Sequence, residues 1–183
     1  MNTINRSEAL GILDSYVDNV NLKKHMYAVE AAMRFYAAKF GEDQELWGVA
    51  GLLHDADWEK HPDQHPKMIC ADLEKRDVSP EMIHAISCHG HIFGIPRTSR
   101  FDDALFACDE VTGLVTTTAL VRPDRLEGME ARSVIKKMKD KGFAAGVNRD
   151  DVREGAESLG VTLEEHIQNV IIAMQGIKSE LGL

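Results

Sequence analysis

Apolar residues recur along this chain at intervals of three and four, the spacing that lines up one face of an α-helix, and the pattern predicts an all-α protein. From Asn21, read as an N-cap, Leu22, His25, Val29, Ala32 and Tyr36 form one stripe, and Gly41 follows its end. A second helix is expected over about 42 to 55, with Leu46, Val49, Leu52 and Leu53 packed inward and His54-Asp55 at its C-terminal end. The stretch 57 to 66 is polar, holds Pro62 and Pro66, and breaks the period, so it reads as a loop leading into a helix over about 66 to 75. Ser79 and Pro80 start a segment that reaches Cys88, after which Gly90 and Pro96 mark an irregular connection. Over about 100 to 120, Asp109 stands among Leu105, Phe106, Ala107, Val111 and Val115.

Beyond Pro123 three further helices are expected, near 127 to 139, 150 to 159 and 163 to 181, the last opened by a capping box of Thr162 and Glu165. The one linker-like stretch, 140 to 149 with Gly142 and Gly146, is too short to argue for a second domain. The reading is a single domain over 1 to 183, with a motif-bearing core at about 20 to 120 and a C-terminal helical extension at about 124 to 183.

Charge and composition narrow the partners. Thirty acidic residues against 21 Lys and Arg give a net charge of -9, which disfavours a long nucleic acid but leaves room for a local basic pocket that takes a small phosphate. Cys70, Cys88 and Cys108 have no paired spacing, so free thiols are expected. The N-terminus lacks a basic stretch followed by an apolar one, and no run approaches the ~20 apolar residues that span a bilayer, so the expectation is a cytoplasmic protein without membrane contact.

The chemistry sits in His25, His54, Asp55 and Asp109, metal-ligand side chains carried on segments that otherwise read as buried helix. Each has a plainer explanation alone: a core histidine bonded to a carbonyl for His25, an imidazolium at the negative end of a helix dipole for His54-Asp55, a buried partner of an arginine for Asp109. Together they would need four separate compensations, whereas one cation explains them all.

With 28 residues between His25 and His54-Asp55, and then Asp109 in Ala107-Cys108-Asp109, the set resembles the HD-domain superfamily of metal-dependent phosphohydrolases over roughly residues 20 to 120. Leu52-Leu53-His54-Asp55 and Ala107-Cys108-Asp109 are similar to its HDIG-related branch, with Ala56-Asp57 in place of the Ile-Gly that names it. The resemblance implies an HD-like helical bundle in which His25, His54, Asp55 and Asp109 hold one divalent metal. It also implies that Asp55 bridges to a second metal held by His65, in His65-Pro66, and His89, in His89-Gly90. His61, His84 and His91 compete for that second position, and His166 reads as a surface histidine. One or two ions are expected, with Mn, Mg, Zn, Fe, Co and Ni all open.

A bound cation polarises a phosphoryl oxygen and makes a nucleophile of water, so cleavage of a phosphoester or phosphoanhydride in a small phosphorylated metabolite or nucleotide is the expected reaction. Asp57 and Glu59 are the nearest spare carboxylates for catalysis, against the commoner reading of solvated loop acids. Among Lys60, Arg97, Arg122, Lys136 and Lys137, Arg97 is the preferred contact for substrate phosphate, because it follows the turn after His89 and its fork suits phosphate oxygens, against the plainer reading of a surface arginine paired with Asp102 or Asp103. No glycine-rich phosphate loop of the P-loop or Rossmann type is present, which disfavours an ATPase or a nicotinamide enzyme. Two alternatives stay open: a di-iron oxygenase of HD type, and a catalytically silent HD module that senses a nucleotide.

Overall fold

The computed structural model describes residues 4–183, and its regular elements are helices. In chain order these are α1 (Arg6–Tyr16), α2 (Val20–Phe40), α3 (Gln44–Leu53), α4 (Lys67–Lys75), α5 (Pro80–Ser87), α6 (Arg100–Leu120), α7 (Ala131–Met138), α8 (Arg149–Ser158), α9 (Leu163–Gln175) and α10 (Lys178–Leu181). Short 3₁₀ turns follow α3 (Pro62–Gln64) and α5 (His91–Phe93). The long helices α2 and α6 form the axis of the bundle, with α3 and α9 laid on α2 and α8 laid on α6. One continuous apolar cluster runs from Ile4 in front of α1 to Leu181 at the end of α10.

Capping chemistry sets the helix starts. Asn19, two residues before the expected cap, receives the amides of Asn21 and Leu22, so α2 begins at Val20. Gly41 closes it in the left-handed conformation (φ 75°). Helix α1 was not expected, yet Asn5 and Glu8 make a reciprocal capping box at its start. The last predicted helix is broken: α9 ends at Gln175, and Gly176, a poor helix former, separates it from α10. Thr162 caps α9 as expected by accepting the Glu165 amide, but the Glu165 carboxylate turns to Lys39 of α2 instead of reaching back to the cap.

Close backbone approach positions the polar residues. A Cβ on Gly51 would lie 3.0 Å from the backbone of Val29 and Glu30, so glycine there lets α3 press against α2 and brings His54, one turn later, beside His25, with ring centroids 5.3 Å apart. Gly155 of α8 meets Ala107 of α6 in the same way, where a Cβ would be 2.7 Å from the Ala107 Cα. The glycines therefore fix which turns of α3 and α2, and of α8 and α6, face one another.

His166 is fully buried, which corrects its reading as a surface residue. Its Nε2 donates to the Ala107 carbonyl at 2.9 Å and its Nδ1 receives the Tyr36 hydroxyl at 2.6 Å, tying α9 to α2 and to the turn of α6 that carries Asp109. The pattern needs a neutral ring, and burial depresses the histidine to about 4. With a native value below the unfolded one near 6.5, the unfolded chain binds more protons between these limits. The stabilising contribution is thus whole above pH ~6.5 and is lost as pH falls toward about 4, amounting to roughly 3 kcal/mol. We expect His166→Gln to flatten the fall of unfolding free energy over this interval, measured by denaturant titration in chelator. An unchanged pH slope would contradict the assignment.

Candidate metal centre

Five segments converge on one point: His25 from the middle of α2, His54 and Asp55 from the end of α3, His65 from the loop after the first 3₁₀ turn, His89 just past α5, and Asp109 from the middle of α6. Asp109 Oδ1 stands 3.0 Å from His25 Nε2 and 3.5 Å from His54 Nε2. Asp55 divides its oxygens, with Oδ2 3.5 Å from His54 Nε2 and 3.8 Å from His25 Nε2, while Oδ1 is 3.3 Å from His65 Nε2 and 3.4 Å from His89 Nε2. Two adjacent ligand groups result, His25/His54/Asp55/Asp109 and Asp55/His65/His89, with Asp55 common to both.

The other ring nitrogens are all engaged. His54 Nδ1 donates to the Gly51 carbonyl (2.8 Å) and His89 Nδ1 to the Ile86 carbonyl (2.6 Å), oxygens that can only accept. His65 Nδ1 donates to Asp57 Oδ1 (2.6 Å). His25 Nδ1 faces the Thr112 hydroxyl at 3.4 Å, and that hydroxyl spends its own proton on the Asp109 carbonyl. In the neutral rings the protons therefore sit on Nδ1, and four Nε2 lone pairs point into the cluster. His65 Nε2 and His89 Nε2 face each other at 3.3 Å, and His54 Nε2 is buried with no hydrogen-bond partner among the described residues. Lone pairs and carboxylates gathered this way repel unless a cation lies between them. Ligand atoms about 2.1 Å from a shared ion lie about 3.0 to 3.5 Å apart, the spacing seen here, and hydrogen bonds that orient ligating histidines through Nδ1 are typical of metal sites.

The electrostatics express the same demand. Burial would raise the Asp55 carboxyl, but His54 and His89 overcome it and hold the group well below the usual carboxylate range; His25 and His54 do the same for Asp109. Burial would lower His54, yet Asp55 and Asp109 raise it to about 9, so without a metal the negative charge recruits a proton. A cation competes for that lone pair, and metal uptake is coupled to proton release. Asp55 and Asp109 keep 18 % and 21 % side-chain exposure and open into a cavity of about 420 Å³. Trp58, Ile92, Phe93, Glu110 and Asp151 are on its walls. Burial and the neighbouring Asp109 push Glu110 up to about 7.

The structure places the remaining sequence candidates elsewhere. Asp57 is wholly buried and accepts the Met68 and Ile69 amides (3.0 Å each) besides the His65 ring, so it orients the His65 imidazole instead of standing in solvent. Glu59 accepts the amides of Asp18 and Asn19 and anchors the loop before α2. Arg97 is stacked on Phe106 and paired with Asp103 and Glu154, which leaves its charge answered within the fold. Lys60 bonds the Ser15 carbonyl, and His91 pairs with Glu154 at 3.0 Å. His84 meets Asp102 at 3.1 Å near Cys88, but that carboxylate already accepts the Thr98 and Ser99 amides as the capping box of α6. Thr112 and Lys24 escaped the sequence reading; Thr112 had a signal, lying one turn after Asp109 on the same face.

The helical fold and the histidine–aspartate cluster together define a candidate metal centre. The family model of the HD domain matches residues 22–134, and the chain belongs to the HD-domain family. This family consists mostly of metal-dependent phosphohydrolases, and the two ligand groups give this chain the means to hold a divalent ion. Comparison with curated proteins and with solved structures gave no match. No helix among the described residues is long and apolar enough to cross a membrane. The three cysteines are unpaired and buried.

Proposed function

We propose that this chain is a metal-dependent phosphohydrolase that cleaves a phosphoester or phosphoanhydride bond of a small phosphorylated molecule, using one metal at His25, His54, Asp55 and Asp109 and a second at Asp55, His65 and His89. The observation that carries this reading is the set of three acceptors, Asp55 Oδ1, His65 Nε2 and His89 Nε2, facing one another at 3.3 to 3.4 Å with no proton of their own to share. When bound, divalent metal lowers the pKa of a coordinated water and polarises a phosphoryl oxygen. The chain's own part is orientation: Asp57, Thr112 and the Gly51 and Ile86 carbonyls fix the rings, and the apolar walls of Trp58 and Phe93 narrow access of bulk water.

The test is a panel of phosphomonoesters, phosphodiesters and phosphoanhydrides incubated with Mn²⁺- or Fe²⁺-loaded protein, following phosphate release and oxygen consumption together. Release of phosphate or of a phosphorylated product, stopped by chelator, is the expected result. Oxygen uptake without hydrolysis would replace the reading with the di-iron oxygenase, and tight binding without turnover with the silent module.

A further inference from the structure

A second cavity, of about 310 Å³, lies behind His25 between α2, α6 and the C-terminal turn, walled by Lys24, Thr116, Thr117, Leu120 and Leu181. His25 and Gly113 line both this cavity and the mouth over the metal centre. Gly113 sits in the middle of α6, where glycine weakens a helix relative to alanine. Packing does not require it: a Cβ there would meet only Val147, at an ordinary 3.5 Å. Without a side chain, Gly113 adds no bulk where the two cavities share a wall.

Among the described residues lining either cavity, Lys24 is the only lysine or arginine. Around it the charge is acidic, with Asp55, Asp109, Glu110 and Asp151 at the mouth. Arg97 and Lys60 are already engaged within the fold. The Lys24 ammonium makes no hydrogen bond or ion pair with another described residue, and it lies beside Gly182, whose Cβ, were there one, would be 2.9 Å from Nζ. Thr117 spends its hydroxyl proton on the Gly113 carbonyl, leaving oxygen lone pairs, and Thr116 adds a second hydroxyl to the wall. An ammonium with no partner among the described residues, beside the Thr116 hydroxyl, suits an anion, and Leu120 and Leu181 accept a short carbon chain.

We infer that this cavity is the subsite for the organic part of the substrate, and that Lys24 binds an anionic group on it, a carboxylate or a second phosphate, while the scissile phosphate occupies the metal centre. The inference rests on the phosphohydrolase reading for what the metal centre holds. The substrate class is thereby a small phosphoester with a second negative charge a few atoms from the first.

The probes are 2-phosphoglycolate and ethyl phosphate, which differ by a carboxylate in place of a methyl group, titrated calorimetrically into Mn²⁺-loaded protein. Wild type is expected to favour 2-phosphoglycolate by about tenfold or more, the scale of a charge-assisted contact. Lys24→Met should bring the ratio close to one, Lys24→Arg should keep most of it, and Lys75→Met, which removes the same charge from the far end of α4, should leave it intact. Equal affinities in wild type, no binding of either probe, or a preference that survives Lys24→Met would overturn the inference. If the preference holds but no phosphoester in the panel is cleaved, the subsite stands and the hydrolase reading falls; hydrolysis without the preference removes the subsite alone.

Discussion

Asp55→Ala is expected to lose bound metal and hydrolysis together, because Asp55 is the one residue whose two oxygens face both ligand groups. Turnover should fall by about a thousandfold, equivalent to about 4 kcal/mol of transition-state stabilisation, since both water activation and phosphoryl polarisation depend on the ions. Saturating Mn²⁺ at a hundred times its dissociation constant should stabilise wild type by about 2.7 kcal/mol and the variant by nothing comparable. Metal content after dialysis and the Mn²⁺-induced change in melting temperature check this without any substrate. Full metal occupancy in the variant would remove the bridging role of Asp55.

Asp57→Asn is expected to impair metal binding while preserving the fold. The carboxamide oxygen can still accept the Met68 and Ile69 amides, but the amide nitrogen it brings toward His65 Nδ1 is a donor where an acceptor stood. His65 must then move its proton to Nε2, the atom that faces Asp55 and His89, and ceases to be a ligand. Loss of such an orienting partner lowers metal affinity by about 10- to 100-fold. Asp57→Ala strips all three partners from buried donors and should in addition cost about 3 kcal/mol or more of stability. The metal titration separates the alternatives: a role confined to packing would destabilise Asp57→Ala yet leave metal affinity in Asp57→Asn unchanged.

The sequence made much of this legible because the ligands sit at helical positions whose facing is set by the apolar period. His25 shares the stripe of Val29, Ala32 and Tyr36, and Asp109 follows Leu105 and Phe106 by four and three residues, so their inward direction followed from spacing. The span predicted for α6 matches Arg100–Leu120, since the Ser99 cap and the unbroken period leave little freedom. Roles set by contacts distant in sequence were not legible. Asp57 reads as a loop acid because the segment is polar, and only the fold shows the Met68 and Ile69 amides closing over it. For Arg97 the sequence offers a phosphate contact or a pair with Asp102 or Asp103; the fold has the Asp103 pair and adds Glu154 on α8, a partner 57 residues away that spacing could not suggest. His166 reads as exposed because its neighbours Glu164 and Glu165 are polar, although its ring inserts between Tyr36 and Ala107. Lys24 offered no signal at all, since its value depends on every other cation near the site being engaged.

Hydrolysis as proposed requires two cations in the cluster of His25, His54, Asp55, His65, His89 and Asp109. Anomalous diffraction from crystals equilibrated with Mn²⁺ tests it most directly. Two anomalous peaks are expected, one among His25, His54, Asp55 and Asp109 and one among Asp55, His65 and His89, with Asp55 reaching both. A map with no peak in the cluster at saturating Mn²⁺ would rule out a metal centre there, and a single peak confined to the first group would remove the second metal.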